Sequence, residues 1–137
     1  MTQPKKINVR GLQKAIGKDC VVKYYAPWCG YCKVLAPVYA EIATDASQDA
    51  ALQNVHVVRF NMDKHAGEVQ SAQVGQEEFG TPVHEDVKGF PTVIMYRKDG
   101  TRSLYQGPRT KQAILDTMRA YYGSGGDTQA SPGSQQG

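Results

Sequence analysis

Apolar and polar positions alternate along this chain in two rhythms. Cys20 to Ala26 (Cys-Val-Val-Lys-Tyr-Tyr-Ala) is a β-branched and aromatic run with one polar interruption, the pattern of a buried central strand. From Cys32 the spacing lengthens: Leu35, Val38, Ile42 and Ala46 share one helical face, with Pro37 inside the helix, where it removes a hydrogen bond and introduces a kink. Val55 to Met62 predicts the next buried strand and Thr92 to Arg97 another. Asp99-Gly100 then supplies a hairpin turn into Ser103-Leu104-Tyr105. Ile114, Leu115, Met118, Tyr121 and Tyr122 mark a last helix with Thr110 as its N-cap.

The order β, α, β, weak helix, β-hairpin, α has crossovers early and a hairpin late. It predicts an α/β domain with a mixed central sheet of four to five strands and helices on both faces. Between Asp63 and Lys88 no single element fits. Glu68 to Val74 reads as a short helix and Gly75 to Asp86 as a loop, and a segment of this length is expected to be mobile or functional. Deleting 76–86 is expected to alter partner choice and to spare the fold. The domain is expected over 1–122. Residues 123–137 have almost no apolar side chains and are expected to form a disordered tail.

Composition narrows the function classes. The chain has 137 residues, 40% hydrophobic and 21% charged, which suits one domain with one core. A net charge of +3, with no basic stripe paired to an aromatic platform, argues against a nucleic-acid partner. No apolar run approaches a membrane span. The first residues lack the apolar stretch of a secretion signal, so the expected placement is cytoplasmic, unless targeting ends have been trimmed from a protein of an oxidising compartment. A monomer is expected.

The chemistry concentrates at two of the three cysteines. Ala26-Pro27-Trp28-Cys29-Gly30-Tyr31-Cys32-Lys33 puts a C-x-x-C pair where a strand ends and a helix begins. Unpaired N–H groups of the first helical turn and the positive end of the helix dipole favour a thiolate there, most of all at Cys29. Cys32, one turn further, is placed to attack a mixed disulfide formed on Cys29. The spacing also admits a zinc site, a structural disulfide or two inert thiols. For zinc the remaining ligands would be Cys20, His56, His65 and His84, none at a second knuckle spacing, so no metal is expected. His84, Glu85 and Asp86 read as solvated loop residues, and Cys20 as a small inert core thiol.

The segment Ala26–Lys33 resembles the active-site signature of the thioredoxin superfamily in its protein disulfide isomerase form. Further segments agree in order. Pro37 is similar to the proline inside the family's active-site helix; Gly89-Phe90-Pro91-Thr92 resembles the segment whose cis-proline faces the cysteines; Tyr105-Gln106-Gly107-Pro108-Arg109-Thr110 resembles the Tyr-x-Gly-x-Arg segment before the last helix. The resemblance spans Ile7 to Tyr122 apart from 64–88 and implies a thioredoxin fold. It implies Cys29 as attacking and Cys32 as resolving thiol, Trp28 packed beside them, and a cis Pro91 with Phe90 offering backbone groups to an extended substrate. Arg109 would swing in to favour the resolving thiolate. The implied substrates are cysteines and disulfides of other proteins, and no cofactor is implied.

Two positions depart from that pattern. Tyr31 stands where isomerases carry histidine and thioredoxins proline, and it offers only a hydroxyl dipole. A Cys29 pKa and a reduction potential between those of thioredoxins and isomerases are therefore expected. Lys23, six residues before Cys29, stands where the family buries an acid that takes the resolving thiol's proton. It could accept that proton or stabilise the thiolate, pair with an acid such as Asp63, or snorkel to solvent. A different class of function, a partner- or peptide-binding module with little redox turnover, remains the alternative, with both cysteines speaking against it.

Overall fold

The computed structural model describes residues 2–123. Its frame is a five-stranded sheet in the order β1-β3-β2-β4-β5. The strands are β1 (Lys5–Ile7), β2 (Cys20–Tyr25), β3 (His56–Asn61), β4 (Thr92–Tyr96) and β5 (Arg102–Leu104). β1 and β2 flank β3 in parallel, while β4 pairs antiparallel with β2 and β5 antiparallel with β4. The mixed sheet is the expected one.

Side-chain alternation along β2 divides the core. Cys20, Val22 and Tyr24 pack on one face with Phe60, Ile94 and Tyr96, beneath α1 (Val9–Ala15) and α3 (Met62–Ser71). Val21 turns the other way, toward Tyr39 and Ile42 of α2 (Gly30–Ser47) and Ile114 and Leu115 of α5 (Lys111–Met118). Helices thus cover both faces. The tyrosine hydroxyls in this core are satisfied. Tyr39 Oη donates to the Val58 carbonyl at 2.7 Å with that of Val21 at 3.0 Å, Tyr24 and Tyr96 share a hydroxyl bond of 2.7 Å, and Tyr122 Oη reaches the Cys20 and Tyr96 carbonyls at 2.9 Å.

Two elements are additional to the sequence pattern: β1, and α1 with Asn8 as N-cap accepting from Gly11 N at 2.9 Å. The 64–88 stretch is also more ordered in pattern than expected. Helix α3 begins at Met62, directly on the end of β3, with Asn61 capping Lys64 N, rather than at Glu68. The expected loop 75–86 contains α4 (Gln76–Phe79) and a 3₁₀ turn (Val83–Glu85).

This segment is part of the core. Val83 is fully buried and its N–H bonds Val74 O at 2.8 Å. Phe79 packs on Tyr96, and Arg102 of β5 covers Phe79, bonds Thr81 and pairs with Asp86 at 3.1 Å. Gly75 makes the closure possible: its φ is +93°, and a Cβ there would lie 2.7 Å from Val83 Cγ1. The expectation that 76–86 could be removed without loss of the fold is corrected, because removal would take Val83 out of the core. α5 is capped by Thr110, whose side chain accepts from Ala113 N at 3.2 Å, and a π-helical stretch follows over Arg119–Gly123. The tail expected from 123 lies, beyond that glycine, outside the described residues.

Candidate active site

β2 delivers the chain to the cysteines. After Tyr25, Ala26–Trp28 make the turn and Cys29 becomes the N-cap of α2, with extended φ −82° and ψ 117°. A serine or threonine at an N-cap accepts a backbone N–H through its oxygen; here the Cys29 sulfur does so, taking Cys32 N–H at 3.1 Å. Both cysteines are free thiols and both are nearly buried.

The two thiols are tuned in opposite directions. Loss of water raises the Cys29 thiol, but bonds from the Cys32 thiol and from the backbone N–H groups of Cys32 and Tyr31, together with the Arg109 charge, outweigh it. The net pKa falls below that of an ordinary cysteine. Cys32 is pushed up to about 11, chiefly by burial and then by its bond to Cys29, against smaller lowering by the Ala26 N–H and the Lys23 charge. A thiol whose ionisation is favoured thus sits beside one whose ionisation is disfavoured.

Phe90, Pro91, Trp28 and Tyr31 lie near this pair in the chain fold. The Phe90–Pro91 peptide bond is cis. Phe90 O lies 3.5 Å from Cys29 Sγ, so the segment before β4 faces the Cys29 sulfur. Trp28 packs edge-on against Phe90 (5.9 Å between centroids) and is 66% exposed. Tyr31 and Val34 are each 72% exposed, so three large apolar side chains stand in solvent around Cys29. The pattern of α2 did not single out Val34, whose signal is an apolar residue on the solvent face of the helix just after the cysteines. Gly30 opens α2, and a Cβ on it would meet nothing within 4 Å. Its lack of a side chain leaves open space next to Cys29 rather than relieving a clash. Arg109 is exposed, and its field acts on Cys29.

Lys23 is buried, at 4% exposure, on the α2 face of the sheet. Among the described residues no carboxylate pairs with it. Its ammonium lies over the rings of Tyr25 (5.4 Å) and Tyr39 (5.0 Å). Burial, then the neighbouring Arg59 charge, lower its pKa, opposed by Cys32. Neither an ion pair to Asp63 or to a loop acid nor an ammonium snorkelling into solvent is found among the described residues, and Lys23 lines one cleft with Cys32.

Cys20 is remote from the pair, fully buried, with its thiol pushed up to about 12 by desolvation. Asp86 is engaged by Arg102, and Nδ1 of His84 is buried without a hydrogen-bond partner. Among the described residues, no group of three His, Cys, Asp or Glu side chains is arranged to hold a metal, and no helix is long and apolar enough to cross a membrane.

A sequence model of the thioredoxin family matches residues 5–120, and the chain belongs to that family. Its similarity runs to protein disulfide isomerases. It is 35% identical over 100 residues to that of Medicago sativa, covering 73% of this chain and 16% of the relative. Against that of Hordeum vulgare it is 33% identical over 112 residues, 82% of this chain and 18% of the relative. The chain thus spans under a fifth of the length of these relatives. The first thioredoxin domain of mouse protein disulfide-isomerase A4 superposes with a TM-score of 0.68 at 24% identity, covering 96% of this chain and 83% of that one. The first two thioredoxin domains of Saccharomyces cerevisiae Eps1p give 0.69 at 21%, covering 89% and 42%. At these identities the structures speak for the fold, and the sequence relatives for thiol–disulfide oxidoreductase chemistry at the level of the family.

Proposed function

We propose that this chain exchanges thiols and disulfides with cysteines of other proteins, Cys29 attacking and Cys32 resolving. The Cys29 thiolate attacks one sulfur of a substrate disulfide. A mixed disulfide forms, and the other substrate sulfur leaves as a thiolate and takes a proton. Cys32 then loses its proton and attacks Cys29 Sγ, closing the Cys29–Cys32 disulfide and expelling the second substrate thiol. Two electrons have passed to the substrate. The reverse sequence oxidises a dithiol.

The observation that carries this reading is the Cys29 sulfur acting as N-cap of α2 at 3.1 Å from Cys32 N, with the two thiols tuned apart. Trp28, Tyr31 and Val34 supply exposed apolar ground for a substrate chain, and the Phe90 backbone beside Pro91 supplies polar groups for an extended one. Lys23 favours the Cys32 thiolate at the resolving step. Arg109 acts on the attacking thiol rather than the resolving one.

With Tyr31 in place of histidine or proline, the reduction potential is expected between about −270 and −180 mV, the values of thioredoxin and protein disulfide isomerase. Insulin reduction with dithiothreitol tests the activity: the wild-type chain accelerates precipitation and Cys29→Ser abolishes the acceleration. No acceleration by the wild-type chain would leave only a binding module, and equal acceleration by Cys29→Ser would remove Cys29 as the attacking thiol.

A further inference from the structure

Thiol exchange leaves one feature of the site without a role. A half-open cleft of about 280 Å³ lies between β2, β3 and the start of α2, reaching Cys32, Lys33, Tyr25, Lys23 and Arg59. Every charged side chain lining it is cationic. Lys23 and Arg59 are direct cross-strand partners, a position at which like charges repel. Neither is matched by an acid among the described residues.

Among the described residues the Lys23 ammonium donates no hydrogen bond and lies over the two tyrosine rings. Arg59 donates a single hydrogen bond, from Nη1 to Tyr25 Oη at 3.0 Å, and its guanidinium lies 5.8 Å from the centre of the same ring. A buried ammonium without a partner is costly. Two things relieve it: loss of the proton, or an anion. The burial of Lys23 and the Arg59 charge push toward the first, while Cys32 opposes it. The Arg59 fork spends one donor on Tyr25, so the cleft keeps a guanidinium with unused N–H donors.

We propose that this cleft binds a small free carboxylate between the Lys23 ammonium and the Arg59 guanidinium, next to Cys32. A planar two-oxygen anion suits the guanidinium fork, with the ammonium as a second point charge. The bound anion also cancels the positive field that favours the Cys32 thiolate. Carboxylate binding and Cys32 ionisation are then linked reciprocally, and an occupied cleft slows release of the mixed disulfide. This last consequence rests on the exchange reading; the binding itself does not.

The experiment titrates the reduced full chain with sodium acetate into the tens of millimolar at constant ionic strength. It follows the Lys23 side-chain and Arg59 Nε–H signals by NMR. Saturable shifts at both residues are expected, with Lys23 becoming at least about tenfold harder to deprotonate when occupied. Lys23→Met should weaken the acetate response at Arg59 severalfold, and Arg59→Gln the response at Lys23. Absent or non-saturating shifts in the wild-type chain would overturn the site, as would responses unchanged in both variants. Tighter binding of inorganic phosphate than of acetate would overturn the carboxylate assignment. If acetate binds but insulin reduction is absent, the exchange reading fails while the site stands.

Discussion

Alkylation kinetics separate the two thiols of the pair, and the deficit of Cys32 against an ordinary cysteine can be worked from the structure. Cys32 is held at about 11 where an ordinary cysteine stands at 9.0. At pH 8 an ordinary thiol is about one-tenth thiolate and Cys32 about one-thousandth, a hundredfold deficit. A more basic thiolate is the better nucleophile; with a Brønsted slope of 0.4–0.5 this returns about six- to tenfold. Cys32 should therefore react with iodoacetamide roughly 10 to 16 times more slowly than an ordinary cysteine, and burial slows it further. Cys29 has its ionisation favoured and should be modified first at every pH below 8. Cys20, held at about 12 and fully buried, should stay unmodified until the fold opens. Timed quenching and peptide mass spectrometry give the three initial rates. Equal initial rates for Cys29 and Cys32 at pH 7 would refute the reasoning, as would prior modification of Cys32.

Other substitutions address the surroundings of the site and the scaffold. Lys23→Met removes a charge that favours the Cys32 thiolate and should slow release of mixed disulfides in a quenched thiol-exchange assay; unchanged release would remove Lys23 from the mechanism. Arg109→Gln should slow Cys29 alkylation at acidic pH, with the difference shrinking in high salt because the charge is exposed. Val83→Ala opens a void under the 3₁₀ turn and should cost about 2 kcal/mol in urea unfolding. A loss near zero would show that 76–86 is not anchored through Val83. Thr110→Ala forfeits the α5 cap and should cost about 1 kcal/mol.

What the sequence revealed follows from where each element's hydrogen bonds and apolar contacts lie. β2 and β4 are central strands buried on both faces, so Cys20–Tyr25 and Thr92–Tyr96 are apolar runs apart from Lys23 and the leading Thr92. The site was readable because its motif residues form it locally: Cys29 caps the helix that Cys32 sits on. β1 is three residues, Lys-Lys-Ile, largely exposed, and is held by backbone pairing to β3, which leaves no trace in its own side chains. α1 does show Val9, Leu12 and Ile16 at helical spacing after Asn8, a signal blurred by Gly11. α3 buries only Met62 and Val69, too few for a clear period. The surroundings of Lys23 depend on cross-strand register, which brings Arg59 alongside from 36 residues away. No local pattern encodes that neighbour.

The division of labour between the cysteines is tested most directly by trapping. Cys32→Ser and Cys29→Ser variants are incubated with a disulfide-bonded substrate protein, quenched with acid and resolved without reductant. Cys32→Ser should accumulate a mixed disulfide mapped to Cys29, because the resolving thiol is gone, while Cys29→Ser should accumulate none. An adduct on Cys32 forming as fast in Cys29→Ser as that on Cys29 in Cys32→Ser would contradict the account.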